Sequence, residues 1–134
     1  MSSPYLGNAG GEHWGDGAWS SVADLDREFA TTTGLSEGDV LLAYYGYESY
    51  SGEAFVLFQR DGILYEVNGS HCSCHGLEDQ WKPEAALTAE LRQRMATEYG
   101  YFGLSYDDRN TFRAELAAVL DEWERQHPAP EAPR

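Results

Sequence analysis

Three stretches between Val40 and Asn68 do most to limit what this chain can fold into. Val40-Leu41-Leu42-Ala43-Tyr44-Tyr45 is apolar throughout, and Ala54-Phe55-Val56-Leu57-Phe58 is similar and rich in β-forming residues. Short uninterrupted apolar runs of this kind fit central strands. Ile63–Asn68 alternates instead, with Ile63, Tyr65 and Val67 on one face and Leu64, Glu66 and Asn68 on the other. Asp61-Gly62 is a tight-turn signal between the second and third runs. Tyr47 to Gly52 is expected to be a longer loop between the first two. An antiparallel meander is the simplest arrangement.

Helical signals flank these runs. Ser21 suits an N-cap with Asp24 three residues on, and Val22, Leu25 and Phe29 share one face of a helix over about residues 21–32, with Gly34 as its stop. Pro83 suits a first helical position, and Leu87, Leu91 and Met95 repeat through about residue 98. Asn110 can cap a last helix striped by Phe112, Leu116, Val119, Leu120 and Trp123. The expected fold is α+β: an N-terminal helix, a three-stranded antiparallel meander, and two C-terminal helices covering one face. The glycine-rich residues 1–20 are expected to form an irregular arm, with Trp14 and Trp19 docking parts of it. Residues 21–127 form one domain, long enough for a core without staples, and the proline-rich 128–134 a flexible tail.

Charge narrows the partners. With 9 Lys+Arg against 23 Asp+Glu the net charge is −14. Such a chain repels phosphate backbones and anionic membranes, so direct nucleic-acid or membrane binding is not expected, whereas basic partners are attracted. Residues 1–59 hold nine acids and one base, Arg27, a balance of −8; residues 60–134 hold fourteen acids and eight bases, or −6. No secretory signal or membrane-length apolar run is visible. The two cysteines, one residue apart, would close a strained disulfide, so reduced thiols and a cytoplasmic setting are expected.

Those cysteines lie in His71-Cys72-Ser73-Cys74-His75, directly after the third run. The residue types suit zinc, but structural zinc sites use two pairs on separate elements, and here all candidates fall within five residues. His71, Cys72 and Cys74 would need His13, His127 or a carboxylate to complete a shell. A nucleophilic cysteine needs a thiolate, which nearby Glu66, Glu78 and Asp79 disfavour. Alternatively, the loop is a turn bracketed by Gly69 and Gly76 whose small thiols pack inward. No phosphate loop, calcium loop or nucleophile elbow is present. No set of residues adds up to a catalytic centre, so no enzymatic role is assigned.

Two aromatic segments stand out as candidate interfaces, because tyrosine offers large contact area with a polar handle. One is the tip holding Tyr47, Glu48, Tyr50 and Glu53. The other is the glycine-broken linker holding Tyr101, Phe102, Tyr106, Asp107 and Asp108.

Leu64 to Trp81, running through Ser70-His71-Cys72-Ser73-Cys74, resembles a group of small uncharacterised bacteriophage and prophage proteins, as does the upstream Tyr50–Phe58. The likeness covers roughly residues 39–84, about a third of the chain. Members carry an aromatic where this chain has His75, which argues against His75 as a required ligand, and an acid where it has Lys82. The resemblance implies a phage protein acting in the host cytoplasm. Small acidic phage proteins often bind host machinery, including as nucleic-acid mimics that block defence complexes. The expected function is therefore inhibition of a host factor, such as a CRISPR or other defence component, through a protein partner. Two alternatives stand beside it: a zinc protein built on His71, Cys72 and Cys74, and a small-ligand sequestering protein drawing cations from Arg92, Arg94, Arg109 and Arg113.

Overall fold

A computed structural model describes residues 5–6, 19–48, 51–71, 77–96 and 109–127. In chain order the elements are β1 (Tyr5–Leu6), α1 (Val22–Glu28), a 3-10 turn (Glu37–Asp39), β2 (Val40–Glu48), β3 (Ser51–Arg60), β4 (Ile63–His71), β5 (Glu84–Ala85), α2 (Thr88–Ala96) and α3 (Arg109–Gln126). The fold is α+β, and the β2–β3–β4 meander forms as expected. The sheet is wider than the three strands anticipated, in the order β1-β2-β3-β4-β5. Tyr5–Leu6, within the segment expected to be irregular, pairs parallel to Ala43 and Tyr44, and Glu84–Ala85 pairs antiparallel to Glu66 and Tyr65.

Both faces of the sheet are covered, which explains the uninterrupted apolar runs. On β3, Ala54, Val56 and Phe58 face one core, with α1, Trp19, Leu35 and Leu77. Phe55 and Leu57 face the other, with Leu91 of α2 and Phe112, Leu116 and Leu120 of α3. The C-terminal helices cover one face as anticipated, and α1 covers the opposite one. Strand β2 changes parity on the way: Val40 pairs with Phe58 but Leu42 with Leu57, a bulge at Leu41. That extra residue places Val40 and Ala43 in the first core and Leu42 and Tyr44 in the second.

Aromatic rings knit each layer. Trp19 stacks on Tyr45 at 4.7 Å, Phe29 meets Trp81 edge-on at 5.1 Å, and Trp81 stacks on Phe58 at 5.6 Å. In the other core Phe112 packs in T-shaped pairs with Tyr44 and Phe55 at 5.8 and 5.5 Å. Each such pair adds about 0.5–1.5 kcal/mol beyond its buried area.

Local chemistry sets the ends. Asp61 (φ 56°) and Gly62 (φ 79°) are both left-handed, the signature of a type I′ turn, and Arg60 pairs with Ile63 across it. The other hairpin is also tight: Glu48 pairs with Ser51, so Tyr47 and Gly52 lie within strands rather than in a long loop. Helix α1 ends earlier than the Gly34 stop expected. Ala30 adopts φ 54°, its amide donates to the Arg27 carbonyl at 3.2 Å, and the Thr31 amide donates to Asp26 at 3.0 Å. This is a Schellman cap with alanine in the usual glycine position.

The second helix starts at Thr88 rather than Pro83. Pro83 instead precedes β5, where its missing amide donor is tolerated at a sheet edge. Leu87, expected on the apolar stripe, is 65% exposed, while Leu91 is fully buried. Helix α3 begins at Arg109, placing Asn110 in its first turn, and its stripe packs as anticipated. Among the described residues no helix is long and apolar enough to cross a membrane.

Candidate binding surface and buried ion pair

The segment from α1 to the 3-10 turn concentrates negative charge. Its carboxylates are held chiefly by neutral donors. Asp24 accepts the Ser20 and Ser21 amides at 2.7 and 3.1 Å, completing a capping box, and also takes Arg27 at 2.9 Å. Burial opposes ionisation of Asp24, but the Ser20 amide and the Arg27 guanidinium prevail and hold its carboxyl below the usual range. Asp26 accepts the Thr33 amide at 3.0 Å, and Asp39 accepts the Ser36 amide and the Gln59 carboxamide, both at 2.9 Å.

Glu37 joins three elements. Its Oε2 accepts the Val22 amide at 2.7 Å at the start of α1, and its Oε1 accepts the Tyr5 hydroxyl of β1 at 3.1 Å. Burial, followed by that carboxylate, pushes the Tyr5 phenol well up, keeping it a neutral donor. Neutral donors fix a carboxylate without cancelling its charge. Asp24, Asp26, Glu28, Glu37 and Asp39 share the region with Arg27, 3.6 Å from Glu28, and with Arg60, whose Nη2 donates to the Gly34 and Thr33 carbonyls at 2.9 and 3.3 Å.

Elsewhere among the described residues, Arg92, Arg94 and Arg125 are bound to the chain's own acids. Arg92 donates to Asp121 at 2.9 Å and to both oxygens of Glu124 at 2.8 and 3.3 Å. The Arg92 hydrogen bond holds the Glu124 carboxyl below its usual range, and Glu124 in turn holds Arg92 protonated. Arg125 pairs with Glu122. Two of the four arginines considered as cations for a small anionic ligand, Arg92 and Arg94, are thereby committed within the fold. Arg113 is half-buried on α3, and the Arg109 side chain lies outside the described part.

Glu66 is the most buried charged side chain described, at 3% exposure, on the face of β4 that meets α2. Arg94 donates Nη2 to its Oε1 at 2.9 Å and Nη1 to its Oε2 at 3.3 Å, and Asn68 Nδ2 donates to Oε1 at 2.9 Å. This fork-on-fork geometry is the most favourable for an ion pair removed from water. The pair spans 28 residues of sequence. Its one trace in the sequence is a charged residue alternating with Leu64 on an inward-facing strand position.

Register brings together features that are separate in the sequence. Tyr47 pairs with Gly52, and Gly52 with His71; in the next row Gly46 pairs with Glu53, and Glu53 with Ser70. The aromatic hairpin end and the start of the His-Cys loop therefore share one end of the sheet. Tyr47, Glu48 and His71 are placed by their backbones, and Glu53 is half-buried. Tyr50, Cys72, Cys74, Tyr101, Phe102, Tyr106, Asp107 and Asp108 lie outside the described residues. Within the described residues no group of three or more His, Cys, Asp or Glu side chains could hold a metal. At the same end, Gln80 closes the rim of β4: its Oε1 accepts the Ser70 amide and its Nε2 donates to the Ser70 carbonyl, both at 2.8 Å.

Comparison with known proteins finds no matching family model, no matching curated protein and no matching solved structure.

Proposed function

We propose that this chain is a non-enzymatic, phage-encoded binding protein that inhibits a host factor by presenting an acidic surface to a basic one. The host target is a defence component that handles nucleic acid, such as a CRISPR complex, and the chain occupies its phosphate-binding surface as a mimic. The observation that carries the reading is the α1-to-3-10 region, where four of five carboxylates, Asp24, Asp26, Glu37 and Asp39, are positioned mainly by amides and hydroxyls, while two guanidiniums, Arg27 and Arg60, stand among the five. Five carboxylates against two guanidiniums leave a net negative charge, and carboxylates held in place steer a basic partner and fix its register. The resemblance to phage proteins supplies the biological setting.

The test is capture of partners from host lysate by the tagged chain, followed by affinity measurement on the purified partner across salt. A mimic should lose about tenfold or more in affinity between about 50 and 300 mM NaCl, and a short DNA duplex should compete with it. Tight binding that ignores both salt and the duplex would sink the mimicry.

A further inference from the structure

Helix α2 is thinly anchored for an element that covers a core. Leu91 is its one fully buried side chain, with Met95 partly buried beside it, whereas α3 buries Phe112, Leu116 and Leu120 and backs them with Val119 and Trp123. In place of apolar anchors, α2 carries two guanidiniums. Arg92 and Arg94 stand about 200° apart around the helix axis, so they grip on opposite sides. Arg92 reaches Asp121 and Glu124 on α3, and the Thr88 hydroxyl also bonds Glu124. Arg94 reaches Glu66 on β4, with Glu90 of α2 itself at 3.9 Å.

The two grips respond differently to solvent. Glu66 and Arg94 both regain hydration if α2 lifts, which offsets much of what their attraction contributes. Arg92 is 35% exposed and Asp121 74%, so that grip is open to screening. Leu91 and the Arg92 cluster are therefore left as the net fastening.

We infer that α2 is a charge-fastened strap, which releases as a unit when the Arg92 cluster is screened or removed, while the sheet and α3 stay folded. Release uncovers the buried Glu66 on the helix-facing side of β4, beside the already exposed Asn68. The inference needs no partner and is independent of the acidic-surface reading.

Hydrogen–deuterium exchange on the intact chain tests it, comparing peptides spanning residues 88–96 with those spanning β3 and α3. Raising NaCl from about 0.05 to 1 M should speed exchange in 88–96 about tenfold, with less than about twofold change in β3 and α3. Arg92→Gln should give the fast rate already at low salt and abolish its salt dependence. Arg92→Lys, which keeps the charge but loses the fork, should fall between. Exchange of 88–96 in step with β3 at every salt overturns the inference, as does an Arg92→Gln variant that remains as protected and as salt-sensitive as the parent.

Discussion

The ion pair between Glu66 and Arg94 yields the sharpest stability prediction. Arg94→Met leaves a carboxylate of 3% exposure with one remaining donor, Asn68, in place of three hydrogen bonds. Removing one partner of a buried pair costs about 3–5 kcal/mol. Arg94 is 29% exposed, and lifting of α2 returns Glu66 to water, so the lower figure of about 3 kcal/mol is expected. Glu66→Leu should cost less, about 1 kcal/mol, because the stranded guanidinium can turn to solvent. The double variant replaces both ions by apolar groups and should lie within about 1 kcal/mol of the parent, a non-additivity of about 3 kcal/mol. Urea unfolding followed by tryptophan fluorescence reads this directly. At about 2 kcal/mol per molar, Arg94→Met should lower the midpoint by about 1.5 M. Equal, additive losses below about 1 kcal/mol from the two single variants would refute the reasoning.

Further outcomes follow from local geometry. Ala30→Gly should stabilise by about 0.5–1 kcal/mol in the same assay, because Ala30 holds a left-handed φ of 54° that glycine adopts freely. Gly46→Ala should destabilise by more than about 2 kcal/mol, since a Cβ there collides with the Tyr44 hydroxyl and comes within 2.6 Å of its Cζ, and Tyr44 is fully buried. Glu124 has a folded pKa below its ordinary 4.5, so its contribution is present above pH 4.5 and is lost as pH falls through the lower folded value. Arg92→Gln should therefore flatten the acid limb of stability against pH in urea titrations below pH 4.5. Protein purified without added metal should carry well under one equivalent of zinc by elemental analysis; stoichiometric zinc lost on Cys72→Ser and Cys74→Ser would instead support the metal reading.

The strands were legible because a strand covered on both faces needs apolar residues at consecutive positions, and Val40–Tyr45 and Ala54–Phe58 have them. Asp61-Gly62 was legible because so few residue pairs accept two left-handed positions. The bulge at Leu41 was not, since parity emerges only when β2 is laid against β3. The end of α1 was hidden because Ala30 takes a backbone conformation that its side chain disfavours, held there by the Thr31 and Ala30 amides. Pro83 suits both a helix start and an edge strand, and the sequence contains nothing to choose between them. Of the candidate surface, Asp24 was legible as the residue three after the Ser21 N-cap, but the roles of Glu37 and Arg94 depend on partners 15 and 28 residues away. Long-range pairings of that kind leave no periodic trace.

The Gln80 carboxamide on Ser70 also limits how this sheet can be recognised. It presents one acceptor and one donor at the spacing of a peptide unit, so the outward groups of Ser70 meet a single side chain as they would meet a neighbouring strand. An incoming chain that tried to lengthen the sheet there would first have to evict that amide and replace two 2.8 Å hydrogen bonds merely to break even. At this rim, recognition is steered away from the sequence-blind grammar of backbone pairing and toward the identity of side chains.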